Sequence, residues 1–78
     1  MKIKIDAFDK VAQFVRTTTN FESDILVKSG RYVVDAKSLM GIYSLDLSKE
    51  LELEVVEKSE GESERLVNKL RELKIVVE

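Results

Sequence analysis

Glu50-Leu51-Glu52-Leu53-Glu54-Val55 alternates polar and apolar residues without a break. Successive side chains of an extended chain point to opposite faces, so Leu51, Leu53 and Val55 share one face and the three glutamates share the other. A strand with one dry and one wet side belongs to an antiparallel sheet covered by helices on a single face. Downstream, Ser59 followed by Glu62 fits a capping box, and Leu66, Val67, Leu70 and Leu73 supply the apolar side of a final helix. The β-branched tail Ile75-Val76-Val77-Glu78 ends a helix poorly; it either packs along a sheet edge or frays.

Upstream of the alternation, Ser38 suits the N-cap of a short helix through Leu39-Met40-Gly41-Ile42-Tyr43-Ser44-Leu45. Gly41 inside that helix costs about 1 kcal/mol relative to alanine, so a packing or docking reason is expected for it. Before it, Ser23–Lys28 and Tyr32–Asp35 are two β-rich runs separated by Ser29-Gly30-Arg31, which reads as a hairpin. Val11, Phe14, Val15 and Thr18 fall at helical spacing after Asp9, whose carboxylate is placed to N-cap them, and Asn20 suits the helix end. Lys2 to Phe8 alternates again, with Ile3, Ile5 and Ala7 on the dry face. The order is strand, helix, hairpin, short helix, strand, helix, an α+β design in which one domain occupies residues 1–78.

Composition narrows the chemistry. Thirteen basic against fifteen acidic residues give a net charge of −2, which disfavours direct nucleic-acid binding as the main task. There is no cysteine, hence no disulfide or thiolate chemistry, and no histidine, hence neither the commonest general base nor the commonest metal ligand. No apolar run is long enough for a membrane span, and the N-terminal alternation lacks a signal-peptide core, so a cytoplasmic location is expected. The glutamates at 50, 52 and 54 and at 60, 62 and 64 lack the ligand spacing of a calcium loop and read as solvated faces. Neither a metal site nor a cofactor is expected.

Lys37-Ser38-Leu39-Met40-Gly41-Ile42-Tyr43-Ser44-Leu45 resembles the regulatory-serine segment of HPr, the small phosphocarrier family of the bacterial sugar phosphotransferase system. Val11-Ala12-Gln13-Phe14-Val15 and Phe21-Glu22-Ser23-Asp24-Ile25 resemble the family's first helix and its exit into the second strand, in the same order and at matching separation. The resemblance implies an open-faced β-sandwich: a four-stranded antiparallel sheet in the order 1-4-2-3, with three helices on one face. It also implies where phosphohistidine chemistry would sit. Counting back without a gap puts the active-site histidine at Ala7, and the arginine and proline that follow it at Asp9 and Lys10. With no histidine anywhere in the chain, carriage of phosphate on histidine is not expected. The stretch before the first helix is also shorter than in the family.

What the resemblance implies at each position stands beside a plainer reading. Ser38 matches the serine that HPr kinase/phosphorylase modifies at the expense of ATP; it also serves as an ordinary N-cap. Leu39, Met40 and Tyr43 match the apolar patch by which HPr docks its partners; otherwise Leu39 joins Ile42 and Leu45 in the core. The resemblance extends to the catabolite-repression branch of the family, which lacks the histidine, keeps the serine and, once phosphorylated, acts as corepressor of a LacI-type regulator. Asp9 departs from the family's arginine and reverses the local charge. The leading expectation is therefore a non-catalytic regulatory or adaptor protein. The alternatives are a phosphorylation-independent interaction module or homodimer on the same scaffold, and a phosphocarrier that uses Asp6 or Asp9.

Overall fold

Alternation and helical spacing are realised at nearly every point where they occur, and the departures sit at element ends. The computed structural model describes residues 1–77. Its elements are β1 (Lys2–Ile3), α1 (Phe8–Thr18), β2 (Asp24–Ser29), β3 (Tyr32–Asp35), α2 (Leu39–Tyr43), β4 (Leu51–Val56), α3 (Glu62–Glu72) and β5 (Val76–Val77). The sheet runs β3-β2-β4-β1-β5 with every pairing antiparallel. Read from β1, its first four strands keep the expected order 1-4-2-3, and β5 adds a short fifth strand on the far side of β1.

The dry face of the sheet is built from Ile3, Ile25, Val27, Leu51 and Leu53, each at most 5% exposed. Phe14 of α1, Ile42 of α2 and Leu66 and Leu70 of α3 close over it with no exposure at all. The opposite face carries cross-strand ion pairs, Lys28 with Glu54 at 2.9 Å and Lys2 with Glu50 at 4.0 Å. Such exposed pairs contribute little each and chiefly keep the open face wet. Gly30 takes φ +59° in the hairpin turn, where a side chain would be strained.

Four expectations are corrected. The first paired strand is only Lys2–Ile3; one more bond to the last segment, from Lys4 N to Ile75 O (2.7 Å), follows before the chain turns toward α1, and Ile5 is buried all the same. Asp9 is not the N-cap of α1. That position falls to Ala7, which gives no side-chain bond, and Asp9 lies in the first turn, where its charge suits the positive helix end. The third correction concerns α3. Ser59 does not cap it, since Gly61 holds the N-cap at φ +81°, and the Glu57 carboxylate accepts from Ser63 N (2.9 Å) instead. Glu62, expected on a solvated face, is buried. Its carboxylate accepts from Glu22 N (3.0 Å), Ser23 N (2.8 Å) and Ser23 Oγ (2.6 Å). A carboxylate with three donors compensates its own desolvation and cannot also serve the backbone of its own helix.

The threonine run survives in α1 because its hydroxyls turn back on the backbone. Thr17 Oγ1 lies 2.8 Å from Gln13 O, and the buried Thr18 Oγ1 reaches Ala36 O at 2.8 Å, tying α1 to the segment before α2. The helix ends at Thr18 with Thr19 as C-cap, one residue before Asn20. At the other end of the chain the tail packs on the sheet edge, with Val77 opposite Lys2 and Val76 opposite Ile3; Glu78, part of the same expectation, lies outside the described residues. What allows this is a Schellman closure of α3: Ile75 N bonds Leu70 O (3.0 Å), Lys74 N bonds Arg71 O (3.0 Å), and Lys74 is left-handed at φ +60°. A lysine pays a steric penalty there that glycine does not. Lys74→Gly is expected to raise stability by about 0.5–1 kcal/mol in urea unfolding; a lower midpoint would contradict this reading of the turn.

Candidate functional site

The site is assembled where α1 begins and α2 lies. Asp35 starts it: Oδ1 accepts from Lys37 N (2.8 Å) and the backbone oxygen accepts from Ser38 N (3.0 Å), turning the chain from β3 into α2. The Lys37 ammonium reaches across to Phe21 O (2.7 Å). Ser38 then takes the extended conformation of an N-cap, and its Oγ accepts from Gly41 N at 3.1 Å. The cap expected from the sequence is present, at the head of a helix of five residues, two shorter than the expected span through Leu45. A helix this short offers one turn of aligned dipoles, so the hydroxyl and its bond matter more than any macrodipole.

Gly41 has the packing reason its cost called for. A Cβ at that position would lie 3.2 Å from Ser38 Oγ and 3.3 Å from Val34 Cβ, so the absence of a side chain lets α2 sit close on β3 with the capping hydroxyl in place. Ile42 is fully buried and Leu45 is 8% exposed. With those two filling the core, the other side of the helix is left in solvent: Leu39, Met40 and Tyr43 are 42%, 77% and 36% exposed. Leu39 does not join the core.

Ala7, Asp9 and Lys10, where counting back along the sequence puts the family's histidine, arginine and proline, lie at the start of α1. Ala7 is the N-cap of α1, Asp9 is exposed in the first turn, and Lys10 directs its ammonium to Asp6 Oδ1 (3.3 Å) and Lys74 O (3.4 Å). Phe8, 82% exposed, joins the two regions, its ring centroid 5.6 Å from that of Tyr43 with the planes 34° apart. Beneath the pair runs a groove of about 480 Å³ lined by Ile5, Ala7, Phe8, Val11, Tyr43 and Leu47, with Asp6 and Ser48 as its polar residues. Phe8 was missed as a site residue, although it falls on the polar side of the first alternation, after Lys2, Lys4 and Asp6.

Electrostatics around the groove are settled within the chain. Asp46 accepts from Ser48 Oγ (2.6 Å) and Ser48 N (3.1 Å), bonds that hold its carboxyl below the ordinary range, and Lys49 stands 3.9 Å away. Lys4 Nζ donates to Ser48 O at 2.6 Å. Among the described residues no three carboxylates gather as a metal site, and no helix is long and apolar enough to cross a membrane. The arrangement offers a hydroxyl at a helix cap and an apolar contact surface.

The protein family described as PTS HPr component phosphorylation site matches residues 9–74. No curated protein matches the chain. Three solved structures resemble it closely. HPr-C-His from Thermoanaerobacter tengcongensis is 32% identical with a TM-score of 0.76, the match covering 95% of this chain and 91% of that one. An HPr dimer from the same organism is 30% identical with a TM-score of 0.67, over 92% of this chain and 91% of that one. Crh, the catabolite repression containing protein of Bacillus subtilis, is described as an intertwined dimer with a swapped domain. It is 31% identical with a TM-score of 0.65, over 92% of this chain and 85% of that one.

Proposed function

The chain belongs to the HPr family, and on that premise we propose that it is a non-catalytic regulatory or adaptor protein of the phosphotransferase system, one small domain switched by phosphorylation at Ser38. The observation that carries the reading is the junction at α2. A capping serine stands at the head of a helix whose outer side presents Leu39, Met40 and Tyr43, in a family member without any histidine. Phosphate on Ser38 would add roughly −1.5 to −2 charge at the rim of that apolar surface and change which partners it accepts. The modifying enzyme would be an HPr kinase/phosphorylase, and the phosphorylated form would serve a LacI-type regulator as corepressor. Likeness to Crh supports this branch. Asp9, where the family's arginine is replaced by a carboxylate, requires a regulator surface adapted to it.

Two of the similar structures are described as dimers, which supports self-association as a second reading of the same surface. Phosphate carriage by Asp6 or Asp9 has less support. Asp6 is engaged by Lys10, and an acyl phosphate is ordinarily formed with the help of a metal ion. Incubation with phosphoenolpyruvate and Enzyme I, followed by intact mass under conditions that preserve acyl phosphates, is expected to leave the protein unmodified while an ordinary HPr gains one phosphate. A phosphate on Asp6 or Asp9 would replace the adaptor reading with a carrier.

A further inference from the structure

Several serine hydroxyls have their protons taken up inside the chain: Ser23 Oγ donates to Glu62 (2.6 Å), Ser48 Oγ to Asp46 (2.6 Å) and Ser44 Oγ to the Gly41 carbonyl (2.6 Å). Ser38 is arranged the other way. Its Oγ accepts from Gly41 N at 3.1 Å and, among the described residues, donates to none. One lone pair holds the side chain in place, while the O–H and the second lone pair stay unengaged. The half-buried hydroxyl is fixed but not masked. Gly41 is the residue common to the two serines at the ends of α2. Its N–H holds Ser38, and its carbonyl oxygen occupies the proton of the exposed Ser44.

The missing side chain at position 41 is what allows this. A Cβ there would lie 3.2 Å from Ser38 Oγ, 3.3 Å from Ser38 Cβ and 3.3 Å from Val34 Cβ, all inside ordinary van der Waals separation. Both carbon neighbours are fixed to the backbone and cannot swing aside. Ser38 Oγ can, by rotation about χ1, so a methyl group at 41 is accommodated by turning the hydroxyl off its cap. We infer that Gly41 is the positioning residue for phosphorylation of Ser38: it presents that hydroxyl to a kinase and withholds the one on Ser44. The inference rests on the reading of Ser38 as a switch and names what selects it. In the transfer a bond forms between Ser38 Oγ and the γ-phosphorus of ATP, and the bond from that phosphorus to its bridging oxygen breaks. ADP leaves with the electron pair, and the hydroxyl proton passes to a base of the kinase. A hydroxyl held by one N–H and otherwise free meets both needs of that step.

Steady-state phosphorylation of the wild type and Gly41→Ala by an HPr kinase/phosphorylase with ATP, beside an ordinary HPr as control, tests this together with amide exchange at position 41. The wild type is expected to gain one phosphate, on Ser38 and not on Ser44. In the variant kcat is expected to fall by about 10- to 100-fold, the scale for a displaced reacting group, while KM stays within about twofold because Leu39, Met40 and Tyr43 still face solvent. The urea midpoint is expected to stay close to that of the wild type, since alanine's better helix propensity and the lost cap bond are of similar size and opposite sign. Exchange needs no kinase: the N–H of residue 41, an N-terminal donor of α2 whose partner is Ser38 Oγ, is expected to lose protection in the variant. A variant phosphorylated at the wild-type kcat overturns the proposal, as does equal protection at position 41 in both proteins. So does a higher KM with protection lost across residues 39–43, which would make Gly41 a support of the helix and not of the hydroxyl. A wild type that gains no phosphate while the control does refutes the switch instead, and exchange at position 41 still decides whether the methyl group displaces the hydroxyl.

Discussion

Glu62→Gln is expected to lower the melting temperature by about 5–10 °C at pH 7, the range for losing charge-assisted hydrogen bonds in a domain of this size. The carboxylate accepts from Glu22 N, Ser23 N and Ser23 Oγ, and Ser23 Oγ in turn accepts from Lys58 N at 3.0 Å. One side chain thus ties the start of α3 to the entry of β2 and the exit of β4. An amide keeps one acceptor but turns an NH2 group toward donors, leaving at least one backbone N–H of Glu22-Ser23 without its partner. The bond from Ser23 Oγ, followed by that from Glu22 N, holds the Glu62 carboxyl below the ordinary glutamate value of 4.5. A group whose pKa is depressed by folding binds fewer protons in the folded chain than in the unfolded one. Its stabilisation is therefore complete above about pH 5 and is lost as pH falls through the lower folded value. Melting of wild type and variant from pH 7 to pH 2.5 should converge at the acid end; a gap of constant size would show that packing, not charge, is responsible.

Ile42→Ala is expected to cost about 2–5 kcal/mol and to loosen α2 before the rest of the molecule. Ile42 is the fully buried anchor of a helix only five residues long, and a helix of that length does not persist without tertiary packing. The loss is a large share of the roughly 4–12 kcal/mol available to a chain of this length. Met40→Ala, two positions earlier on the solvent side, is expected to change stability by less than about 0.5 kcal/mol. Urea unfolding of both variants measures the difference, and amide exchange at residues 39–43 locates it. Equal losses in the two variants would mean that the helix is held otherwise than by this one side chain. The contrast matters for function because exposed residues of the patch can be replaced with little disturbance to the scaffold that presents them.

Much of this arrangement was legible because its causes are local. The alternation from Glu50 to Val55 sets β4, Gly30 sets the hairpin, and Ser38 followed three residues later by a free N–H sets the cap of α2. Strand order is not local, and it came from the resemblance, not from periodicity. Glu62 was misread because its partner Ser23 lies 39 residues away, and nothing in Ser59-Glu60-Gly61-Glu62 announces that the carboxylate turns inward. Asp9 was misread by two positions: the N-cap is Ala7 and the helix starts at Phe8, and an acidic residue suits either the cap or the first turn. Phe8 was legible in principle, as an aromatic on the wet side of an alternating stretch, yet its pairing with Tyr43 depends on α1 and α2 meeting in space.

The central claim is that this HPr-family chain has exchanged phosphate carriage for a switch at Ser38. Intact mass of wild type and Ser38→Ala after incubation with ATP and an HPr kinase/phosphorylase, beside an ordinary HPr as control, tests it most directly. One phosphate on the wild type and none on the variant is the predicted result. No phosphate on the wild type while the control is modified would contradict it and reduce Ser38 to the cap of α2.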